Sequence, residues 1–246
     1  MNETIKTLLD HRSIRKYSSK KIEDKELEYI LKSAQAAANS INGQSVSIIV
    51  VKDVNRKNKL AELAGNQGYI SEAPVFLVFC MDFNRTNKAS EKVGVKQAAV
   101  DSQEANIVGG IDTGLAMGNA ITAAESLGLG TVCIGGVRRN PEEVIELLEL
   151  PKYVFPLAGL VIGHAEEKPE QKQRFPMEVV VSEETYKEIT DDQLEEYDRL
   201  ISNYLSERTG GKDKSSWSER VSGVYQHVYF PKVKGALEKQ GFTSEK

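Results

Sequence analysis

The chain has 246 residues, 40% hydrophobic and 28% charged, a balance that supports a globular fold with a substantial core. Its 32 Lys and Arg against 36 Asp and Glu leave a formal charge of −4, which argues against a general nucleic-acid binder, whose domain is normally basic. Three histidines and two distant cysteines match no zinc spacing, no apolar run approaches the ~18 residues of a membrane span, and the N-terminal residues hold no apolar signal region. A cytoplasmic protein with no metal, membrane or nucleic-acid partner is expected.

Residues 3–10 carry Ile5, Leu8 and Leu9 on one face of a short helix. HRSIRKYSSKKI follows from residue 11, a dense run of positive charge. DKELEYILKSAQAAANS places Leu27, Ile30, Leu31, Ala34 and Ala38 on one helical face, with Asp24 as candidate N-cap. VSIIVVKD (46–53) is a β-branched run and predicts a strand. VNRKNKLAELAG predicts a helix closed by Gly65, and APVFLVFCMD (73–82) a second buried strand. NRTNKASEKVGVKQ is polar and reads as a loop. The longest helical region, about 96–127, is rich in Ala, Gly, Ser and Thr, which lets another element approach closely.

TVCIGGV (131–137) predicts a third strand ending in two glycines, and PEEVIELLELP a helix with Pro141 at its first position. FPLAGLVIGHA (155–165) predicts a fourth strand. Beyond it, EEKPEQKQRFPMEVVVSEETYKE reads as an extended, charged arm. DDQLEEYDRLISNYLSER is an amphipathic helix, RTGGKDKSSWS a polar loop, and the last residues a closing helix. With no long linker and no repeat, one domain over 1–246 is expected. Cys80 and Cys133 both lie in apolar runs and are expected to be buried thiols.

The chain has no GxGxxG, no GxxxxGK[ST] and no GxSxG, so dinucleotide-fold, P-loop and hydrolase readings lack their signatures. Five stretches remain. His11-Arg12-Ser13-Ile14-Arg15 is either a solvated basic turn or a phosphate cradle, in which guanidinium forks suit bidentate contact. In an extended segment, Ser13 and Arg15 share one side and Arg12 and Ile14 the other. Lys172-Gln173-Arg174 alternates likewise within an acidic arm, and taken alone it reads as solvated surface. Gly135 and Gly136 after a strand either make a plain turn or permit close approach of a flat ligand. Asn39–Gln44 and Gly65–Tyr69 are amide-rich loops whose mixed donors and acceptors suit a heterocycle edge. Together the five fit a ligand with a phosphate at one end and a flat, amide-edged ring at the other, which describes flavin mononucleotide (FMN).

HRSIRKY, AESLGLGTVCIGGVR, the order of strand FPLAGLVIG and arm HAEEKPEQKQRFP, and RTGGKDKSSWS resemble the nitroreductase superfamily in the same order nearly end to end. Within it the chain resembles the NADPH-dependent flavin reductase and oxygen-insensitive nitroreductase group. The resemblance implies an α+β fold, a mixed sheet flanked by helices, in a homodimer whose C-terminal arm wraps the partner. It implies FMN as cofactor, NADPH as electron donor, and ping-pong hydride transfer to nitroaromatics, quinones or flavins. A flavin reductase that releases reduced FMN to a partner enzyme and a non-catalytic flavin carrier or sensor stand as alternatives.

The resemblance also implies residue roles. His11, Arg12, Ser13 and Arg15 match phosphate and ribityl contacts. Asn39 falls where relatives have a small polar FMN contact, often serine. Gln67 and Tyr69 match a loop near the flavin. Ile134, Gly135 and Gly136 match a backbone segment near the ring's reactive edge, with Cys133 in a place often held by tyrosine. Lys172 and Arg174 match phosphate contacts of the arm. Arg208 matches an arginine that grips the 2′-phosphate of NADPH, and Lys212 and Lys214 stand where relatives are richer in arginine. No side chain is expected to act as catalytic acid or base.

Overall fold

The computed structural model describes residues 1–246. Contacts divide the chain into two compact units, residues 1–170 with 230–246, and residues 171–229. The boundary falls inside the expected arm.

The first unit begins with α1 (Glu3–Leu9), capped by the Asn2 side chain, and α2 (Asp24–Gln35). The N-cap of α2 is Glu23, one residue before the expected Asp24: its carboxylate and that of Glu26 satisfy each other's backbone N–H in a capping box. β1 (Val46–Val51), α3 (Val54–Leu63), α4 (Tyr69–Glu72) and β2 (Val75–Asp82) follow. Gly65 takes φ +97°, a left-handed position just past α3 that other residues rarely adopt. The polar segment expected as a loop is α5 (Asn84–Lys92), a helix that buries no residue and so carries no apolar stripe to read. α6 (Gln103–Ser126), β3 (Gly130–Ile134), α7 (Pro141–Leu147, Pro141 at the first position) and β4 (Val154–Gly163) complete the core.

The sheet order is β1-β2-β4-β3, and every named strand pairs antiparallel. The one parallel pairing with the sheet is an isolated bridge of Ser13 with Thr131. β2 is buried along its whole length, and its alternation divides the core. Phe76, Val78 and Cys80 face a cluster with residues of α3 and α7, while Val75, Leu77 and Phe79 face α2 and α6. The β2–β4 register shifts between Phe79 and Cys80, whose partners are Ala158 and Pro156. Leu157 is the extra residue. A bulge is where a central strand tolerates proline, which has no N–H to give the ladder.

In the second unit, α8 (Met177–Val180) is a single turn within a segment expected to be extended. α9 (Asp191–Thr209) starts at a Thr190–Gln193 capping box and ends at Gly210 in the left-handed region. α10 (Trp217–Tyr225) starts at a Ser216–Glu219 capping box. The closing segment is therefore two helices rather than one, and the second, α11 (Val233–Gln240), belongs to the first unit. There Ala236 and Phe242 are buried with Met81, Phe83 and Phe155, and Phe242 meets Phe83 edge-on. The C-terminal helix thus packs on its own chain.

Candidate functional site

The basic stretch is extended. Ile14 N–H donates to Thr131 O at 2.8 Å, Ser18 N–H to His164 O at 3.0 Å, and Tyr17 bridges Ala165. Ile14 and Tyr17 are buried, and the Tyr17 hydroxyl donates to Ile14 O at 2.6 Å. Anchoring these two turns Arg15 and Lys16 outward, both exposed, with their backbone N–H groups on the Glu167 carboxylate at 2.7 and 3.1 Å.

His11 and Arg12 already have partners. His11 Nδ1 lies 2.7 Å from Glu125 Oε1, and the Thr131 hydroxyl donates to the same oxygen at 2.7 Å. Arg12 pairs with Asp10 at 2.7 Å and holds that carboxyl below its ordinary range. Yet Arg12 Nε is buried with no hydrogen-bond partner. Arg12 lines a cleft of about 490 Å³ with Lys6, Lys168, Asp10, Glu125 and Glu167.

β3 links this segment to the glycine pair. Thr131, which bridges Ser13, lies two residues before Cys133 on the same strand. Thr131, Val132 and Ile134 are buried, but Cys133 is exposed, contrary to expectation; only Cys80 is a buried thiol. Ile134 closes the strand and Gly135–Arg138 form a 3₁₀ turn. A Cβ on Gly136 would lie 2.4 Å from Ala64 O and 2.5 Å from Gln67 Nε2. Gln67 Nε2 donates to Ala64 O at 2.6 Å, and the Tyr69 hydroxyl donates to Gln67 Oε1. Gln67, Tyr69 and Gly136 thus form one patch. Arg138 was not anticipated. It donates to Leu157 O, the carbonyl released by the bulge, and lies 5.5 Å from the Phe230 ring centre.

Asn39 sits elsewhere. Its Oδ1 accepts from Gln44 N–H at 3.0 Å, in a loop where Ile41, Asn42 and Gln44 have φ of 48°, 57° and 51°. Asp112 of α6, 2% exposed, pins that loop by accepting from Ser40 N–H at 3.0 Å and the Ser45 hydroxyl at 2.6 Å. Asn39 and Asp112 line a different cleft, about 740 Å³, with residues of α2 and β1.

In the second unit, Lys172, Arg174, Arg208 and Arg220 line one cleft of about 420 Å³, with Tyr197, Tyr204 and Trp217 among its walls. Tyr197 stacks on Phe175 at 3.8 Å and its hydroxyl donates to Gln173 O at 3.1 Å, which steadies the Lys172–Arg174 segment. Lys212 and Lys214 are exposed and do not line the cleft. Arg220, which lies in α10, was not singled out by the sequence. No group of His, Cys, Asp and Glu is arranged to hold a metal, and no helix is long and apolar enough to cross a membrane.

Residues 8–164 match the model of the nitroreductase family, and residues 172–245 match that of the nitroreductase family C-terminal domain. The chain is 50% identical over 251 residues to FMN reductase [NAD(P)H] of Bacillus subtilis (strain 168), covering 100% of both chains. It is 39% identical to the NADPH-flavin oxidoreductase of Vibrio harveyi, covering 99% of both. The solved structure of B. megaterium NfrA2 superimposes with a TM-score of 0.98 at 49% identity, covering 100% of both chains.

Proposed function

The chain belongs to the nitroreductase family, and from that premise we propose that it is an FMN-dependent NADPH oxidoreductase that reduces small acceptors such as nitroaromatics, quinones or flavins. The names and full-length coverage of the two curated relatives support this reading. The observation that carries it to this chain is the patch at the end of β3, where Gly136 packs against the Ala64 carbonyl and the Gln67 amide, and Tyr69 donates to Gln67. Glycine lets this backbone pack directly on the Ala64 carbonyl and the Gln67 amide, and an amide and a phenol side by side are groups that suit a flat ring with mixed donors and acceptors.

The residues present fit FMN. The buried, unpartnered Nε of Arg12 is a donor in need of an acceptor, and the exposed Arg15 adds a forked cation for a phosphate. Arg12, Ser13 and Arg15 would hold phosphate and ribityl groups, with His11 fixed beside them by Glu125. Gln67, Tyr69 and the backbone of Cys133, Ile134, Gly135 and Gly136 would orient the ring. In the second unit, Lys172 and Arg174 are assigned to phosphate and Arg208 to NADPH. When bound, FMN would supply the hydride chemistry, from NADPH to the acceptor. No side chain is assigned as catalytic.

The proposed assembly is a cytoplasmic homodimer. Ile107, Ile111 and Leu115 of α6 are about half exposed, and a Cβ on Gly110, Gly114 or Gly118 would meet nothing. An apolar, small-residue face of this kind suits a second copy of the chain, which would bring its own Asn39 loop. The name of the B. subtilis relative favours a second reading, in which free FMN is itself a substrate.

Steady-state oxidation of NADPH with a varied nitroaromatic acceptor tests the proposal. Donor and acceptor that use one pocket in turn give parallel double-reciprocal lines. An FMN-supplemented protein that oxidises no NADPH contradicts it.

A further inference from the structure

The cleft of the second unit is lined by four cations and no carboxylate, in a chain whose net charge is −4. Two of the four come from successive helices. Arg208 lies in the last turn of α9 and donates to the Tyr204 hydroxyl at 3.3 Å. Arg220 lies in α10, and its NH1 is held by Asp213 Oδ2 at 2.9 Å and the Ser215 hydroxyl at 3.3 Å. Asp213 is fixed in turn: its Oδ1 accepts from Ser215 N–H at 3.0 Å and from the Ser215 hydroxyl at 2.6 Å. Both contacts of Arg220 fall on NH1, which leaves Nε and NH2 to a ligand. A guanidinium held on one nitrogen loses less freedom when it binds an anion.

The lysines of the intervening loop do not offer this. Lys212 and Lys214 lie outside the cleft lining, and an ammonium lacks the planar fork. A cleft of about 420 Å³ is within the range for a small ligand, and guanidinium forks suit a phosphate dianion.

We propose that Arg220 is the second guanidinium, beside Arg208, that binds the ribose phosphomonoester of the dinucleotide donor and sets preference for NADPH over NADH. The proposal rests on the oxidoreductase reading above. Asp213 and Ser215 are positioning residues that act through Arg220.

The test is calorimetric titration of the purified protein, FMN-loaded, with adenosine 2′,5′-bisphosphate and with adenosine 5′-monophosphate, for wild type, Arg220→Ala and Arg220→Lys. The ratio kcat/KM for NADPH and for NADH is measured alongside. Wild type binds the bisphosphate more tightly than the monophosphate. Arg220→Ala weakens the bisphosphate by about 10- to 100-fold, the range of one charge-assisted bond, and the monophosphate by less than about threefold. Its kcat/KM for NADPH falls in parallel, through KM, and more than that for NADH. Arg220→Lys recovers part of the loss. Flavin absorbance equal to wild type verifies the fold of each variant. Equal losses for the two nucleotides, or none, overturn the assignment of Arg220. Wild-type protein that takes up no FMN overturns the functional reading, and the nucleotide titration still judges Arg220.

Discussion

Gly136 stands so close to Gln67 that a methyl group added to the glycine would lie 2.5 Å from the Gln67 side-chain nitrogen. The same methyl would lie 2.4 Å from the backbone oxygen of Ala64, which cannot swing aside as a side chain can. Gly136→Ala is expected to cost about 1–3 kcal/mol of stability, the range for overpacking. It should also weaken FMN binding, because Gln67 and Tyr69 must move together. Urea unfolding with a parallel flavin titration checks both effects.

Arg15→Ala should lower FMN affinity by about 10- to 100-fold, the value of one charge-assisted bond to phosphate, and activity should fall with it. Stability should change little, since the side chain is exposed. Arg12→Ala should lower affinity and stability together, because the Arg12 side chain is largely buried and its packing is lost with it. Flavin occupancy and melting temperature of the two variants separate the effects; full occupancy in Arg15→Ala would refute its assignment.

Asp112→Ala removes the acceptor for Ser40 N–H and the Ser45 hydroxyl inside a buried setting. A loss of about 1–3 kcal/mol is expected from the donors left unsatisfied. Three residues of the pinned loop have positive φ, so the loop that carries Asn39 should loosen. Faster amide hydrogen exchange at residues 39–45 checks this.

The two thiols should differ. Burial beside Asp82 raises the Cys80 pKa strongly, and partial burial with the Glu125 carboxylate raises that of Cys133. A raised thiol pKa means less thiolate at pH 7–8, so Cys133 should alkylate more slowly than a free cysteine. Its rate should keep rising with pH past the ordinary midpoint. Cys80 should react only on unfolding, and bound FMN should slow Cys133 further. Mass-spectrometric alkylation rates across pH, with and without FMN, check the order.

Ile111→Lys places a charge on the half-exposed apolar face of α6. Sedimentation should find wild type at twice the 27.2 kDa chain mass and the variant shifted toward the single chain. A wild type at single-chain mass contradicts the homodimer.

Elements that bury a continuous face were legible in the sequence. The run from Val75 to Asp82 is a fully buried strand, and Pro141 opens a helix where its missing N–H costs nothing. α5 buries no residue and so has no apolar period that would mark a helix in the sequence. Cys133 shares its strand face with the buried Thr131, so its exposure comes from its place near the end of β3 rather than from alternation, and an apolar run gives no sign of where that face opens. Gln67, Tyr69 and Gly136 were named separately, and the fold joins them through the Ala64 carbonyl. Arg220 was missed because its nearness to Arg208 arises from the α9–α10 turn, and no short spacing marks it. Asp112 is the single aspartate among the three acids of an Ala- and Gly-rich helix, and nothing in that pattern marks the loop it holds.

The central claim is that this chain binds FMN and reduces it with NADPH. The most direct test is the visible spectrum of the purified protein under nitrogen, before and after NADPH and NADH are added separately. The account predicts flavin bands, present on isolation or gained with added FMN, that bleach with NADPH faster than with NADH. A protein that gains no flavin bands, or whose bands persist with both donors, would contradict it.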